Sequence, residues 1–487
     1  MTRDRANWPL VGTLVLAACL NLYAIDFPLG YHYDEPKKVQ FVRQGTQDFH
    51  LPLLMLELAR GAVAVVQPKS DQQIAVVGRT VSAASGVAVV LFTFVLARRL
   101  MARGWALATA LAAAVSPTIV VHAHYFKEDA IFTACMLLSL LALLRFLEGP
   151  NTISMIALGI ATGLAWSAKY TGALLVLLYL AAPWIAPTPS RRAYFLGLLA
   201  AMGIAAWIFA TVNWPMFDNF DQFLVGIRHE SRHAVMGHDV RYPAVPHFFA
   251  FHFWHSLLPG MTPPVVAVGM AGMIWTAARW RQAALRERLL LVFVVGFYLV
   301  MELFPLKPDP DSGRYMLPIV PVLICFACRA VETASSAYRT RFRRWPMAFG
   351  VVALVVLPLV DSVLLDLHLN RDTRRTAVEW IAATGKGAVF EAHAGVRRDV
   401  RSVAELDVAQ QRARGVSYLV ASSFQYERYY RGSRTRGQSA DVYRFHRRYE
   451  ELFSQFPYAE FKPAYRGFAF SNPTIRVIDI TGRRFTD

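Results

Sequence analysis

Apolar stretches of close to 20 residues recur from one end of this chain to the other, and they constrain its fold more than any other feature. A helix of that length crosses the hydrocarbon core of a bilayer, which is about 30 Å thick. Backbone groups in lipid must be hydrogen-bonded within their own segment, so such stretches favour a bundle of membrane-spanning helices. The charged fraction of 17% agrees, because soluble domains contain about 25% charged residues.

Hydropathy predicts a polytopic α-helical membrane protein with about eleven spans. The predicted spans lie near residues 8–25, 78–97, 105–121, 130–147, 152–168, 172–186, 193–212, 256–278, 289–305, 315–332 and 346–366. Arginines cluster before the first span and after the second, sixth, eighth and tenth. The positive-inside rule makes these connections cytoplasmic, so the N-terminus lies inside and the C-terminus outside.

The net charge of +17 would suggest nucleic-acid binding in a soluble protein. Here the basic residues cluster in short connections between spans, so topology explains the charge and no nucleic-acid partner is predicted. The four cysteines fall inside apolar runs and imply no disulfide framework. The start resembles a cleaved lipoprotein signal ending at Cys19, but the apolar run continues to Ile25, which favours an uncleaved first helix.

In this predicted topology, the segments that are neither spans nor short basic connections lie on the outer face. They divide the chain into a membrane domain, residues 1–366, with outer loops at 26–77, 122–129, 213–255 and 306–314, and a soluble extracytoplasmic domain, residues 367–487. In the second domain "TRRTAVEWIAATG" predicts a helix and "VSYLVASS" and "IRVIDI" predict strands, which indicates a small α/β domain. The apolar stretch 51–66 carries Glu57 and Arg60 and is short for a span, so it predicts an interfacial amphipathic helix, with an additional tilted span as the alternative.

Two acidic pairs lie on this outer face. Asp34 and Glu35 follow the first span, where a carboxylate can serve as a general base toward an attacking hydroxyl. Glu128 and Asp129 precede the fourth span and can hold a divalent metal or position an acceptor. The alternatives are a solvated loop end for the first pair and a helix N-terminal cap for the second.

Four basic residues lie on the predicted outer face, although the positive-inside rule places most basic residues on the cytoplasmic side. They are Lys169, Arg314, Lys307 and Arg79. An anionic group, most simply a phosphate on a lipid or substrate, would explain them. The alternative is that each long side chain reaches the lipid headgroups.

The segment His229-Glu230-Ser231-Arg232-His233 matches the H-E-x-x-H zinc-protease pattern. The flanking sequence predicts a loop rather than a long helix, and a pattern with two free positions arises by chance. A membrane zinc protease therefore stays as an alternative function.

Taken together, these stretches resemble the polyprenyl-phosphate-sugar-dependent glycosyltransferases with the C-type multispanning fold, which include protein O-mannosyltransferases and the lipid A aminoarabinose transferase. The matching stretches are "YHYDEPKKVQFVRQG", "HAHYFKEDAIFTACMLLSL", "GLAWSAKYTG", "GRYMLPIVPVLI" and "TRRTAVEWI", in the family's order. The resemblance implies transfer of a sugar from a polyprenyl-phosphate donor to an acceptor hydroxyl, with inversion at the anomeric carbon.

The resemblance also implies roles for individual residues. Asp34 would be the general base and Glu35 would support it. Lys169 and Arg314 match positions expected to contact the donor phosphate. If a divalent cation is held, Glu35 and Asp129 would be its ligands. Many relatives have an arginine and a proline before their second acidic residue, where this chain has Lys127 and Glu128, so the roles of Glu128 and Asp129 stay open.

A lipid or sugar transporter is the other alternative, but it would carry ionisable residues along an intramembrane path. Here they gather at the outer ends of spans, which favours a reaction at the surface. The predicted location is a bacterial inner membrane with the site facing the periplasm. Sugar, acceptor and prenyl length are not predicted.

Overall fold

The computed structural model describes residues 7–186, 190–236, 240–304, 312–337, 348–350, 352–469 and 471–482, with only the backbone at 233–236 and 337. The helices before the C-terminal domain are α1 (Trp8–Leu22), α2 (Glu35–Gln44), α3 (Leu54–Val66), α4 (Asp71–Ala97), α5 (Arg103–Ala114), α6 (Pro117–Ala123), α7 (Asp129–Glu148), α8 (Thr152–Ala168), α9 (Leu175–Ile185), α10 (Arg191–Val212), α11 (Pro215–Asp218), α12 (Phe220–Met236), α13 (Leu258–Met261), α14 (Pro263–Ala278), α15 (Leu285–Leu303), α16 (Gly313–Met316), α17 (Val320–Ala337) and α18 (Leu357–Leu367).

Helices lie at each predicted span, but not all of them are long enough to cross a bilayer alone. Within the described residues, five helices meet that length and apolarity: Asp71–Ala97, Asp129–Glu148, Arg191–Val212, Gly313–Ser336 and Ala348–Leu367. Two bent helix pairs raise the number to seven, and shorter apolar helices account for further positions. The chain is thus a multi-pass membrane protein, while the count of eleven stays a prediction.

The two bends lie before prolines. Predicted span 105–121 is split into α5 and α6, which meet at 53°; Ser116 adopts extended backbone there because the ring of Pro117 disfavours helix in the residue before it. Predicted span 256–278 is split at Thr262, whose φ is 65°, and the pair is bent by 110°. Pro263 follows at once and begins α14.

Small residues allow close helix packing in the bundle. Gly159 and Gly163 of α8 face α10, and a Cβ at either glycine would lie 2.6 Å from the Cβ of Ile204 or Ile208. This spacing is the small-x-x-x-small pattern by which membrane helices approach each other closely.

Ion pairs join several connections at one end of the bundle. Glu148, at the end of α7, accepts from Arg99 at 2.6 Å and from Arg286 at 2.8 Å, and Arg329 of α17 pairs with Glu287 at 3.0 Å. These connections therefore lie on one face, as the arginine pattern predicts. The side of the membrane that this face occupies stays a prediction.

Two short helices, α2 and α3, lie within the predicted outer loop 26–77. The last residues of α3, Val65 and Val66, are 84% and 61% exposed. An exposed apolar end suits a helix that rests in the lipid interface.

The C-terminal domain is a four-stranded sheet with helices, and it contains a helix and two strands at the three stretches predicted to form them. Its elements are α19 (Thr373–Thr384), β1 (Gly387–Phe390), α20 (Val408–Ala413), β2 (Val416–Ser422), α21 (Ser423–Ser433), α22 (Ala440–Gln455), β3 (Tyr458–Phe461) and β4 (Ile475–Asp479). The strand order is β1-β2-β4-β3, with only β1 and β2 parallel. Alternate residues of β2 face opposite sides, so Tyr418 and Leu419 enter two separate apolar cores.

One buried arginine joins the two domains. Arg374, at the start of α19, is 1% exposed and forms an ion pair with Asp372 at 2.7 Å. Its guanidinium donates to the carbonyl of Tyr31 at 2.8 Å and stacks over the Tyr31 ring at 4.0 Å. This contact fixes the C-terminal domain against the loop that carries Asp34.

Candidate active site

The two adjacent carboxylates after the first span, Asp34 and Glu35, lie in different environments. Asp34 is the N-cap of α2 and Glu35 is its first residue, with Pro36 restricting the backbone at the helix start. The Glu35 side chain is fully buried, whereas that of Asp34 is 40% exposed. The sequence pair therefore divides into one structural and one accessible carboxylate.

Glu35 forms a buried ion pair with Arg79 of α4. The two Glu35 oxygens accept from Arg79 Nε at 2.9 Å and from Nη2 at 2.6 Å, and the backbone N–H of Phe126 donates to Oε1 at 2.9 Å. Arg79 also donates to the carbonyl oxygens of Ile25 and Phe27. A buried pair of this kind adds little net stability but fixes the elements that it joins.

Asp34 lies in a chain of alternating charges. Lys127 Nζ donates to Asp34 Oδ2 at 2.6 Å and lies 3.7 Å from Glu128 Oε2. Lys38, one turn after Asp34 on α2, donates to the other Glu128 oxygen. The connection before α7 is thereby held against α2.

The charges around Asp34 set its protonation. Burial raises the pKa of this carboxyl, but the Lys127 ammonium, together with His32 and Arg314, more than offsets burial and holds the pKa well below its usual range. Asp34 is therefore ionised at neutral pH, which is the form that a base requires.

Asp129, at the start of α7, accepts from Lys169 Nζ at 2.7 Å. The Lys169 ammonium also lies 4.9 Å from the centre of the Tyr315 ring, and the Arg314 guanidinium lies 5.2 Å from the same ring. Two cations from distant parts of the chain thus flank one aromatic ring.

A cavity of about 270 Å³ brings these groups together. Asp34, Glu128, Lys169 and Arg314 all line it. Its wall therefore holds an accessible carboxylate and two cations of the kind that bind a phosphate.

Three predicted residues lie elsewhere. Arg79 and Glu35 do not line this cavity, and their hydrogen bonds to each other and to backbone argue against direct contact of Arg79 with a phosphate. Asp129 is 3% exposed and stands behind Lys169. Lys307 lies outside the described residues.

The residues named as possible metal ligands do not fit a cation. Both oxygens of Glu35 are taken by Arg79, and Asp129 pairs with the Lys169 ammonium. A coordinating carboxylate needs an oxygen free to face the ion. Glu35 and Asp129 therefore serve ion pairs with Arg79 and Lys169 rather than a metal site.

The H-E-x-x-H segment was predicted to lie in a loop, and that prediction was wrong: it lies on α12. The ring of His229 stacks on that of His50 at 4.2 Å, and the ligand atoms of His50, His229 and Glu230 lie within 4.8 Å of one another. All three line the same cavity as Asp34. The side chain of His233 lies outside the described residues.

The lining residues that were not predicted as site residues include Lys38, Lys127 and Tyr315. The four-residue spacing from Asp34 to Lys38 on one helix was a usable signal, because such residues share a face. The contact of Lys127 with Asp34 joins residues 93 apart, and no local pattern indicates it.

Comparisons with known proteins bear on the family and the fold. The sequence profile of dolichyl-phosphate-mannose-protein mannosyltransferases matches residues 70–214. This match spans less than a third of the chain; it includes Glu128, Asp129 and Lys169 but neither Asp34 nor Arg314. A comparison of the sequence with curated proteins gives no match.

Several solved membrane enzymes have similar structures. ArnT from Cupriavidus metallidurans, solved with undecaprenyl phosphate, is 15% identical, with a TM-score of 0.57, over 98% of this chain and 98% of its own. The oligosaccharyltransferase AglB from Archaeoglobus fulgidus, solved with an inhibitory peptide and a dolichol-phosphate, is 12% identical, with a TM-score of 0.57, over 88% of this chain and 71% of its own. The A. fulgidus oligosaccharyltransferase in its apo form is 12% identical, with a TM-score of 0.59, over 97% of this chain and 75% of its own.

These likenesses define the class of the chain: it is a multi-pass membrane protein with the C-type glycosyltransferase fold. The resemblance identified from the sequence is thereby confirmed. Within that class, the profile that matches its central helices is that of the dolichyl-phosphate-mannose-protein mannosyltransferases.

Proposed function

We propose that this protein transfers a sugar from a polyprenyl-phosphate-linked donor to an acceptor hydroxyl at the outer face of the membrane. One observation carries the proposal: the accessible, ionised Asp34 shares a cavity with Lys169 and Arg314. A base and a phosphate-binding pair in one cavity match the two ends of such a reaction.

The reaction is a single displacement. Asp34 takes the proton of the acceptor hydroxyl as its oxygen forms a bond to the anomeric carbon. The bond from that carbon to the phosphate oxygen breaks, and its electron pair leaves with the phosphate. Lys169 and Arg314 stabilise the negative charge that develops on that leaving group. One displacement inverts the configuration at the anomeric carbon.

An apolar groove next to the polar cavity supports a lipid donor. A second cavity, of about 440 Å³, shares Lys169 and Tyr315 with the first, and its apolar lining includes Leu174, Ile227, Met301 and Phe304. Leu174 joins it to a third cavity, of about 130 Å³, between α9 and α15. The phosphate would lie at Lys169 and Arg314 while the prenyl tail follows this groove into the lipid.

The proposed location is a bacterial inner membrane with the site facing the periplasm. The face that carries Glu148, Arg99 and Arg286 is then cytoplasmic, following the positive-inside rule. The α7 helix begins at the site and ends at that face, so the site lies at the opposite end of the bundle, where acceptors arrive from outside.

The test uses the purified full chain in detergent, a panel of radiolabelled polyprenyl-phosphate sugars and a crude envelope extract. Transfer of label and release of polyprenyl phosphate are measured for the wild type, Asp34→Asn and Glu230→Gln. We expect Asp34→Asn to lower transfer by about 10²- to 10⁴-fold, because it removes the base. Glu230→Gln should keep most of the activity.

Two results would count against the proposal. Normal transfer by Asp34→Asn would remove Asp34 from the role of base. A wild-type protein that consumes no donor, together with a zinc-dependent proteolysis that Glu230→Gln abolishes, would favour the zinc-protease alternative.

A further inference from the structure

Another cavity lies on the other side of Asp34, between the membrane domain and the C-terminal domain. Its volume is about 390 Å³, within the range of small-molecule sites. The membrane domain contributes residues from Gly30 to Gln40, and the loop after β1 contributes residues from His393 to Arg398. Asp34 and Lys37 line both this cavity and the one that holds Lys169 and Arg314. The candidate base thus stands between two separate spaces.

The two walls of this interdomain cavity are packed directly against each other. Gly30 has a φ of +103°, and a Cβ there would lie 2.4 Å from the carbonyl oxygen of Val396. Arg374 fixes the same part of the membrane domain through the carbonyl of Tyr31. The cavity is therefore a feature of the folded chain rather than a gap between loosely associated domains.

Positive charge dominates the wall. Lys37, Arg397 and Arg398 line the cavity, and Asp34 is its carboxylate. The Arg398 guanidinium lies 4.9 Å from the centre of the Tyr33 ring and donates to the Tyr33 hydroxyl. Among the described residues no carboxylate lies within ion-pair distance of Arg398. An aromatic platform orients this guanidinium without neutralising it.

The other two cations have acidic neighbours outside the cavity lining. Arg397 Nε lies 3.2 Å from Asp399, and Arg397 also donates to the carbonyl of Ala388 at 2.8 Å. Lys37 forms an exposed ion pair with Asp48. Exposed pairs of this kind are weak, so both side chains can turn toward an anion in the cavity.

His393 adds a neutral polar group to the wall. Burial, together with the nearby arginines, lowers the pKa of His393 to about 3, so its imidazole is neutral at physiological pH. Its ring lies 5.8 Å from that of Tyr33. A neutral imidazole and a phenol supply hydrogen bonds of the kind that orient a hydroxyl compound.

We propose that this interdomain cavity binds the acceptor, and that the acceptor is a hydroxyl compound carrying a phosphate or carboxylate close to the reacting hydroxyl. The inference rests on the proposed function, which places the donor phosphate in the other cavity. The acceptor hydroxyl reaches Asp34 from the interdomain side, and Arg397 and Arg398 bind its anionic group. The C-terminal domain then selects the acceptor by charge.

The test first separates the envelope extract on an anion-exchange resin. Label transfer and polyprenyl-phosphate release are measured with the retained and the unretained fractions, using the purified full chain. We expect the acceptor in the retained fraction. Partition of the labelled product between organic solvent and water then distinguishes a lipid-borne anion from a water-soluble one.

The same assay is repeated with Arg397→Gln/Arg398→Gln and with Arg444→Gln as the matched control. Arg444 is an exposed arginine of the same domain, paired with Asp441 away from the cavity. The double variant should raise the KM for the retained acceptor about tenfold or more, with a smaller change in kcat. The control should change neither. Thermal unfolding of the double variant checks that it has folded.

Salt gives a measurement that needs no substitution. Raising the ionic strength from about 0.1 M to about 1 M shortens the Debye length from about 10 Å to about 3 Å. The acceptor KM of the wild type should rise, and that of the double variant should rise much less.

The proposal is overturned if the acceptor activity lies in the unretained fraction, or if neither the double variant nor salt changes the acceptor KM. If the wild type consumes no donor at all, the proposed function itself is wrong, and this inference falls with it. Release of polyprenyl phosphate in the same assay separates these two failures.

Discussion

The ion pair of Asp34 with Lys127 is the contact on which the proposed chemistry depends. It joins the loop after α1 to the connection before α7 at 2.6 Å, and it keeps the candidate base ionised. Lys127 occupies a position where the resemblance expects an arginine followed by a proline. The residue at which this chain differs from many relatives is therefore one that contacts the candidate base, Asp34.

Replacing Lys127 should move the pH dependence of transfer. Activity requires ionised Asp34, so the rate falls as the pH falls through the pKa of that carboxyl. Burial raises this pKa, and Lys127 is the group that lowers it most. In Lys127→Met the pKa of Asp34 should therefore rise, and the acid limb of the pH–rate profile should shift to higher pH. Lys462→Met, at an exposed ion pair with Glu460, is the control. Coincident acid limbs for all three proteins would contradict this role of Lys127.

Arg314 should act on the leaving group. Because its charge stabilises the departing phosphate more than the ground state, Arg314→Gln should lower kcat by about 10²- to 10³-fold. Arg279→Gln, an exposed arginine hydrogen-bonded to Gln282, should leave kcat unchanged. If Arg314→Gln raises the donor KM and keeps kcat, Arg314 binds the donor without assisting its departure.

Residue types were easier to predict than their contacts. An accessible carboxylate and outer-face cations are visible in the sequence because they are costly near lipid unless they are used. Arg79 looks the same by that criterion, yet it pairs with Glu35 inside the bundle. A cation that lines the cavity can be distinguished from one paired inside the bundle only when the packing of α2 against α4 is known. Hydropathy does not predict that packing.

Helix α2 is held against α4 by two ion pairs of different kinds. Glu35 with Arg79 is fully buried. Arg43 with Asp71, at 2.7 Å, is about half exposed on both sides. The comparison isolates the effect of burial, because both pairs join the same two helices.

Arg79→Met should destabilise the protein by about 3–5 kcal/mol, since it leaves the Glu35 carboxylate buried without a partner. Adding Glu35→Gln should restore part of the loss. Arg43→Met should cost less than about 1 kcal/mol, because exposed pairs contribute little. Thermal unfolding in detergent measures all three. Equal effects of Arg79→Met and Arg43→Met would refute the positioning role of the buried pair.

Gly30→Ala should disturb the contact between the domains. The added Cβ meets the Val396 carbonyl oxygen, and the left-handed backbone is strained by a side chain as well. Gly45→Ala is the matched control, since Gly45 has a φ of +67° and open space around it. Gly30→Ala should lower the unfolding temperature and raise the acceptor KM more than Gly45→Ala does. Similar behaviour of the two variants would mean that the close contact does not matter.

Helix positions followed from hydropathy, and helix breaks did not. The predicted spans 105–121 and 256–278 each contain a proline at the bend, yet prolines also occur inside helices of this chain, such as Pro183 in α9. Whether a proline bends a helix depends on whether neighbouring helices satisfy the freed backbone groups. That information lies in the tertiary structure.

At the scale of the whole molecule, the Asp34 carboxylate lines two cavities, the one that holds Lys169 and Arg314 and the interdomain cavity. The cavity beside α7 continues into an apolar groove and suits a lipid-borne donor, while the interdomain cavity is bounded by the C-terminal domain. The class of protein was predictable because its motifs occur in order along the chain. The arrangement of the C-terminal domain was not, since Arg374 and Tyr31 are more than 300 residues apart.

The configuration of the transferred sugar tests the central claim most directly. The anomeric configuration in the product, measured by NMR, is compared with that in the polyprenyl-phosphate donor. With Asp34 as a base in a single displacement, the account predicts inversion. Retention would contradict it, because retention requires two displacements through a covalent intermediate, in which Asp34 would act as a nucleophile or have no part.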